Sequence, residues 1–184
     1  FMIQVHESEP DILFGTETWL GVGDVDSMIC LPGYVPVRND TDETRGGVLI
    51  YVKNEISVEM CNELSNNALK DTLWIWATLH TTKVLLGVVY RKGTNPIELN
   101  DLLLCQIEQA TKLSKGKLAI TGDFNLPNID WVNCIVNSSE ESFSNFFYDK
   151  LNDLFLHQHV NEPTRQRGRN VPSCLDLVIT AYPN

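Results

Sequence analysis

No stretch of this chain is apolar over anything near the roughly 20 residues that a membrane-crossing helix requires, which excludes a helical span. No basic segment followed by an apolar run suggests a signal peptide within these residues, which says little about a longer parent protein. Cysteine offers little: five residues, at 30, 61, 105, 134 and 174, with no C-x-x-C pair. An odd number so widely scattered argues against a disulfide framework and a zinc site, and leaves reduced, partly buried thiols. Internal repeats and low-complexity segments are absent too. Basic residues are scarce, with 14 Lys and Arg against 24 Asp and Glu, for a net charge of −10. That excludes a generally basic protein that coats nucleic acid by displacing counterions. It leaves room for an enzyme whose acidic cleft holds a divalent cation, because the ion then supplies the local positive charge.

What is present fits a single globular domain. The 184 residues suffice to bury a sizeable core, and 43% apolar and 21% charged residues are ordinary for a soluble protein. The chain begins at Phe1 and stops at "AYPN" directly after an apolar run. It therefore reads as a piece of a longer polypeptide, one domain incomplete at both ends.

Strand and helix patterns alternate irregularly. "DILFGTETWL" opens as a strand at Ile12–Phe14 and turns polar at Thr16-Glu17-Thr18; "GGVLIYVKN" predicts a strand from Val48 to Val52. "DTLWIWATLH" sets Leu73, Ile75, Ala77 and Leu79 on one face and Trp74, Trp76, Thr78 and His80 on the other; with "TKVLLGVVYRK" it reads as a hairpin or a neighbouring pair. A helix fits "PIELNDLLLCQIEQATKLSK", with Pro96 near its start and Leu99, Leu102, Leu103, Ile107 and Ala110 at helical spacing. A second fits "EESFSNFFYDKLNDLFL", with a stripe of Phe143, Phe146, Phe147, Leu151 and Leu154. Between them "LAIT" makes a short strand that breaks at Gly122, and "CLDLVIT" makes the last one. The mixture without strict βαβ alternation favours a layered α/β sandwich over a doubly wound parallel sheet.

Glu17, Tyr90, Asp123, Asn125 and Asp176 then share a property. Each lies at or near the end of an apolar strand, except Asp176, which interrupts one. Rigid strands hold side chains in place while a sheet edge admits substrate, so active sites gather there. Each residue also has a bland reading. Glu17 could be a solvated acid, "GDFN" a plain Asx turn and Tyr90 an amphipathic cover for the core. Asp176 is harder to dismiss, because a carboxylate between leucines in a buried strand requires a partner.

Taken in order, "DILFGTETWL", "RGGVLIYVKN", "GVVYRKGTNP", "LAITGDFNLPNIDW", "EPTRQRGRN" and "SCLDLVIT" resemble the endonuclease/exonuclease/phosphatase superfamily, and most of all the apurinic-type endonuclease domain of non-LTR retrotransposons. The resemblance implies a four-layer α/β sandwich of two mixed β-sheets flanked by helices, here lacking the terminal strands. It implies phosphodiester hydrolysis assisted by Mg²⁺, or alternatively Mn²⁺. By that likeness Glu17 is a metal ligand, and Asp123 orients or deprotonates the attacking water. Asn125 holds that water or a phosphate oxygen, and Tyr90 and Thr164 bind phosphate. Asp176 orients a catalytic histidine. The chemistry suits these residue types, since Mg²⁺ prefers hard oxygen ligands and keeps several waters. The implied partners are DNA and a reverse transcriptase domain of the same polyprotein, with no membrane, in an intracellular and, when acting on DNA, nuclear setting.

Two departures stand out. The family's opening strand ends in a metal-binding Asn, and this chain begins too late to show it. The family's terminal Ser-Asp-His motif, which supplies a second acid and the histidine, does not occur in these residues. The expectation is a weakly active or inactive piece. His157 and His159 have zinc-like spacing but no third ligand nearby, and His6 and His80 are unsupported as catalytic substitutes. Arg165, Arg167 and Arg169 form a basic run in an acidic chain, read as phosphate contacts beside the active site or as a solvated loop. Two other functions stay open: a phosphodiesterase for an inositol-phosphate or lipid substrate, and a non-catalytic remnant of the fold.

Overall fold

The structure is a computed structural model and describes residues 8–21, 23–41, 45–166 and 172–181. A small sheet runs in the order β1 (Ile12–Thr16), β3 (Val48–Lys53), β2 (Tyr34–Asn39) and is antiparallel among the described residues. A larger sheet runs in the order β10 (Leu156–Gln158), β11 (Asp176–Ala181), β7 (Leu118–Asp123), β6 (Thr82–Tyr90), β5 (Thr72–Leu79), β4 (Ser57–Met60). Among the described residues only its β6–β7 pair is parallel, and the helix α1 (Ile97–Ser114) makes the crossover between them. The helix α2 (Phe143–Asp153) follows a ribbon of β8 (Ile129–Asp130) and β9 (Ile135–Val136).

The alternation seen in the sequence explains the layering. Leu73, Ile75 and Ala77 of β5 and Leu86 and Val88 of β6 meet Val48, Ile50 and Val52 of β3 in the space between the sheets. Trp74, Leu85 and Val89 point the other way, into a core closed by Leu103, Leu104, Ile107 and Ala110 of α1 and Phe147 and Leu151 of α2. Both faces of the central strands are buried, so their apolar runs are nearly continuous. The outer face of the small sheet is covered by Ile29, from the 3-10 turn Asp26–Ile29, packed on Leu49 and Tyr51. The two-sheet sandwich is therefore as expected.

Several details differ from the sequence reading. Leu102 lies at the margin of its helix, 36% exposed, and Leu104 takes the inward position. Phe146 points to solvent because the buried side of α2 runs through Ser144, Phe147 and Leu151, away from it. The β7 strand does not break at Gly122 but continues to Asp123. Gly122 has φ +137°, and a Cβ there would lie 1.9 Å from the Val89 carbonyl oxygen. Only glycine lets β7 lie so close to β6 at this point.

Candidate active site

Strand polarity gathers the candidates at one edge. The parallel pairing places Tyr90 and Asp123, the last residues of β6 and β7, side by side. The antiparallel β11 begins at that edge, so Asp176 is the register partner of Asp123. From the other sheet, β1 ends at Thr16 and delivers Glu17, whose carboxylate accepts a 2.7 Å hydrogen bond from the Tyr90 hydroxyl. This bond crosses between the sheets. Glu17, Tyr90, Asp123, Asn125 and Arg165 line a single cleft of about 300 Å³, together with Arg45, Lys92, Gly93 and Thr94.

The "GDFN" loop is both a turn and a cleft wall. Asp123 accepts the Asn125 N–H at 2.9 Å, an Asx turn that engages one of its two carboxylate oxygens. Between them Phe124 is fully buried against Phe147, with ring centroids 5.1 Å apart. The apolar residue anchors the loop in the core, and its polar neighbours are left facing the edge. Asn125 takes a left-handed backbone, φ +50°, which asparagine tolerates better than most residues. Glu17 is left-handed as well, at φ +54°. Such backbone persists only where its surroundings fix it, and it concentrates at functional sites.

The electrostatics are those of crowded acids. Burial first, then the neighbouring Asp176 and Glu17, raise the Asp123 carboxyl to about 6 against the opposing pull of the Asn125 amide and Arg165. The Tyr90 phenol is pushed well above its ordinary value by burial, by its bond to Glu17 and by the nearby acids. It is therefore a neutral donor with one proton, which is given to Glu17 in this structure.

Sequence reasoning missed Arg91, which follows Tyr90 and is only 6% exposed. Its guanidinium donates to Asn100 Oδ1 at 2.8 Å and to the Phe124 and Asn125 carbonyls at 3.2 and 3.3 Å, and it lies 4.4 Å from the Phe143 ring centre. Its own carbonyl accepts the Asn125 side-chain amide at 2.8 Å. Arg91 thus ties the loop to both helices, and burial lowers its pKa to about 10. The only sequence signal was a charged residue directly after an apolar strand. Arg45 and Lys92 were also missed; Lys92 is paired with Asp71 at 3.1 Å.

Other expectations need correction. Asp176 does not interrupt its strand but begins it, and it is exposed, so it is not an acid stranded in an apolar interior. The Thr164 hydroxyl oxygen accepts the Leu175 and Asp176 N–H groups at 3.1 and 3.0 Å, outside the cleft lining. It props the start of β11, leaving only its hydrogen to offer a phosphate. Arg167 and Arg169 lie outside the described residues. His80 sits in the β5–β6 turn, roughly 25 Å along β6 from Tyr90. His157 is in register with Thr180, roughly 13 Å along β11 from Asp176, and His159 bonds Val178 through its N–H while its ring turns to the Thr180 hydroxyl, away from Asp176. None of these three histidines lies beside Asp176.

A two-sheet sandwich with this edge cleft defines a class, and solved structures similar to it carry the same fold. One is the endonuclease domain of TRAS1, a telomere-specific non-LTR retrotransposon: TM-score 0.74, 16% identity, covering 98% of this chain and 76% of that one. Another is a 3′ phosphatase from Neisseria bound to a product DNA hairpin: TM-score 0.66, 18% identity, 97% and 80% covered. A third is an AP endonuclease from Archaeoglobus fulgidus: TM-score 0.63, 16% identity, 98% and 79% covered. No curated protein matches the sequence. A family model described as endonuclease-reverse transcriptase matches residues 84–184, more than half of the chain. The chain belongs to that family, within the endonuclease/exonuclease/phosphatase superfamily.

Proposed function

We propose that the cleft hydrolyses phosphodiesters with a divalent cation, Mg²⁺ or Mn²⁺, and nicks DNA. The observation that carries this reading is the convergence of Glu17, Tyr90, Asp123 and Asn125 with the cations Arg45, Lys92 and Arg165 around one opening. A divalent ion fits the residues present. Among the described residues no three His, Cys, Asp or Glu side chains form a metal cluster, but Mg²⁺ is held by one or two carboxylates and its own waters. The acids that raise the Asp123 carboxyl repel one another, and a cation relieves that repulsion. Glu17 would hold the ion. When bound, it would draw charge from the phosphoryl oxygens and steady the leaving oxygen.

The remaining chemistry belongs to the chain. With its carboxyl at about 6, Asp123 is mostly ionised at neutral pH and more basic than an ordinary carboxylate, which suits it to take a proton from water. Asn125, fixed through its amide nitrogen to the Arg91 carbonyl, has its side-chain oxygen to orient that water. Tyr90 has one proton, so it steadies Glu17 or binds a phosphate oxygen, but not both at once. Asp176 lies next to Asp123 and adds negative charge. Arg45, Lys92 and Arg165 oppose the charge of the substrate. In this reading the nick primes a reverse transcriptase of the same polypeptide, acting in the nucleus. Among the described residues no helix is long and apolar enough to cross a membrane.

The test is nicking of supercoiled plasmid with Mg²⁺ and with chelator. Glu17→Ala and Asp123→Ala should each slow it by at least about 10²-fold, since each removes an interaction with the transition state. The 184-residue chain should cut slowly, and a version carrying a C-terminal Ser-Asp-His segment faster. Unchanged rates in either alanine variant refute the assignment.

A further inference from the structure

Three of the four tryptophans are drawn into the protein. Trp74 is buried, Trp76 lies under the Lys83 ammonium at 5.3 Å, and Trp131 packs 6.0 Å from the Tyr148 ring. Trp19 is 64% exposed. Its backbone is nevertheless closely fixed. Its N–H bonds the Gly46 carbonyl at 3.0 Å, and the Thr18 N–H bonds the Gly47 carbonyl at 3.3 Å. The Gly47 N–H is held in turn by Asp71 at 2.8 Å. A Cβ on Gly47 would lie 2.4 Å from the Thr18 hydroxyl, so the two segments meet only because glycine stands there.

Trp19 also has φ +56°, uncommon for a bulky side chain and the second left-handed residue in three. Thr18 and Leu20, on either side of it, line an apolar groove of about 220 Å³ over the small sheet. Glu17, two residues earlier, lines the cleft, as does Arg45, which adjoins the Gly46 that holds Trp19. The indole is thus a large flat group kept in solvent on a pinned turn, with a cleft residue near it in each of the two paired segments. Little conformational entropy remains to be lost when such a group binds something.

We propose that Trp19 is a stacking platform for a nucleobase left unpaired beside the phosphate that the cleft attacks. The inference rests on the nuclease reading above. A base offers a flat π face whatever its sequence, and indole matches it in shape. Arg45 stands near enough in the chain to meet the adjoining phosphate. The role is binding, not chemistry: Trp19 sets which DNA is held, and Glu17 and Asp123 act on it.

The experiment uses a labelled duplex with a central unpaired bubble and a fully paired duplex, with Ca²⁺ in place of Mg²⁺. Anisotropy of the label reports binding, and intrinsic emission reports the indole. Trp19→Ala should weaken bubble binding about tenfold, within the range of one base–aromatic stack, and affect the paired duplex less. Trp19→Tyr should recover most of the loss. DNA should quench emission of the native protein but not of Trp19→Phe, and thermal unfolding should be unchanged in all three variants. A native dissociation constant for Trp19→Ala on the bubble, or quenching that persists in Trp19→Phe, overturns the stacking role while the nuclease reading stands. Failure of the native protein to bind either DNA overturns both.

Discussion

Asp123→Asn should make this protein more stable at pH 8 while abolishing catalysis. The carboxyl moves from 3.8 to about 6 on folding, chiefly by burial, with Asp176 and Glu17 adding to it. Because the folded value lies above the unfolded one, the contribution of Asp123 to stability is fully present below about pH 4. It is lost as pH rises through about 6. Ionising a carboxyl so shifted costs about 3 kcal/mol, which screening at the open cleft reduces to about 1–2 kcal/mol. Asparagine keeps the shape, and its side-chain oxygen can still accept the Asn125 N–H. Urea unfolding at pH 4, 6 and 8 should show the variant level with the native chain at pH 4 and about 1–2 kcal/mol more stable at pH 8. The melting temperature at pH 8 should rise by a few degrees. Added Mg²⁺ should narrow the gap by stabilising the native chain. Equal stability at pH 8, or the same gain at pH 4, would refute the argument that burial, with the neighbouring acids, raises this group.

Arg91→Lys should lower stability by about 2–3 kcal/mol, since an ammonium cannot span Asn100 and the two loop carbonyls together. It should also reduce the nicking kcat with KM little changed; a native kcat in a destabilised variant would make Arg91 a structural tie only. Arg165→Ala should reduce the magnitude of the salt slope of DNA binding by about one, and the triple replacement of Arg165, Arg167 and Arg169 by up to about three. An unchanged slope would show that this loop does not reach phosphate.

The strands that carry the site were legible because their apolar runs end abruptly at polar residues. Tyr90 and Asp123 could be read as strand ends, and pairing then made them neighbours. The short strands were not legible. Tyr34–Asn39 contains Pro36, and Pro36 is tolerated because β2 lies at the edge of its sheet. The strands β4, β8, β9 and β10 have two to four residues each, too few to show a period. Asp176 was misread because its neighbours Leu175 and Leu177 are both buried, which made the acid between them look interior. Alternation along an extended segment instead turns it outward, at the first residue of its strand. Arg91 was hidden for the opposite reason. A charged residue after a strand looks solvated, and only the fold shows the carbonyls that receive it.

The bond between Tyr90 and Glu17 has a consequence for how the chain acquires its cleft. Tyr90 and Asp123 become neighbours only after the α1 crossover has closed, a parallel pairing that folds slowly because its contacts are distant in sequence. Glu17 arrives separately, on a strand that must first pair with β3 and then dock its sheet against the other. An intermediate holding the large sheet alone would have the loop of Asp123 and Asn125 but not Glu17; one holding the small sheet alone would have the reverse. The cleft is therefore complete only when the two sheets have docked, because neither sheet alone holds both Glu17 and Asp123.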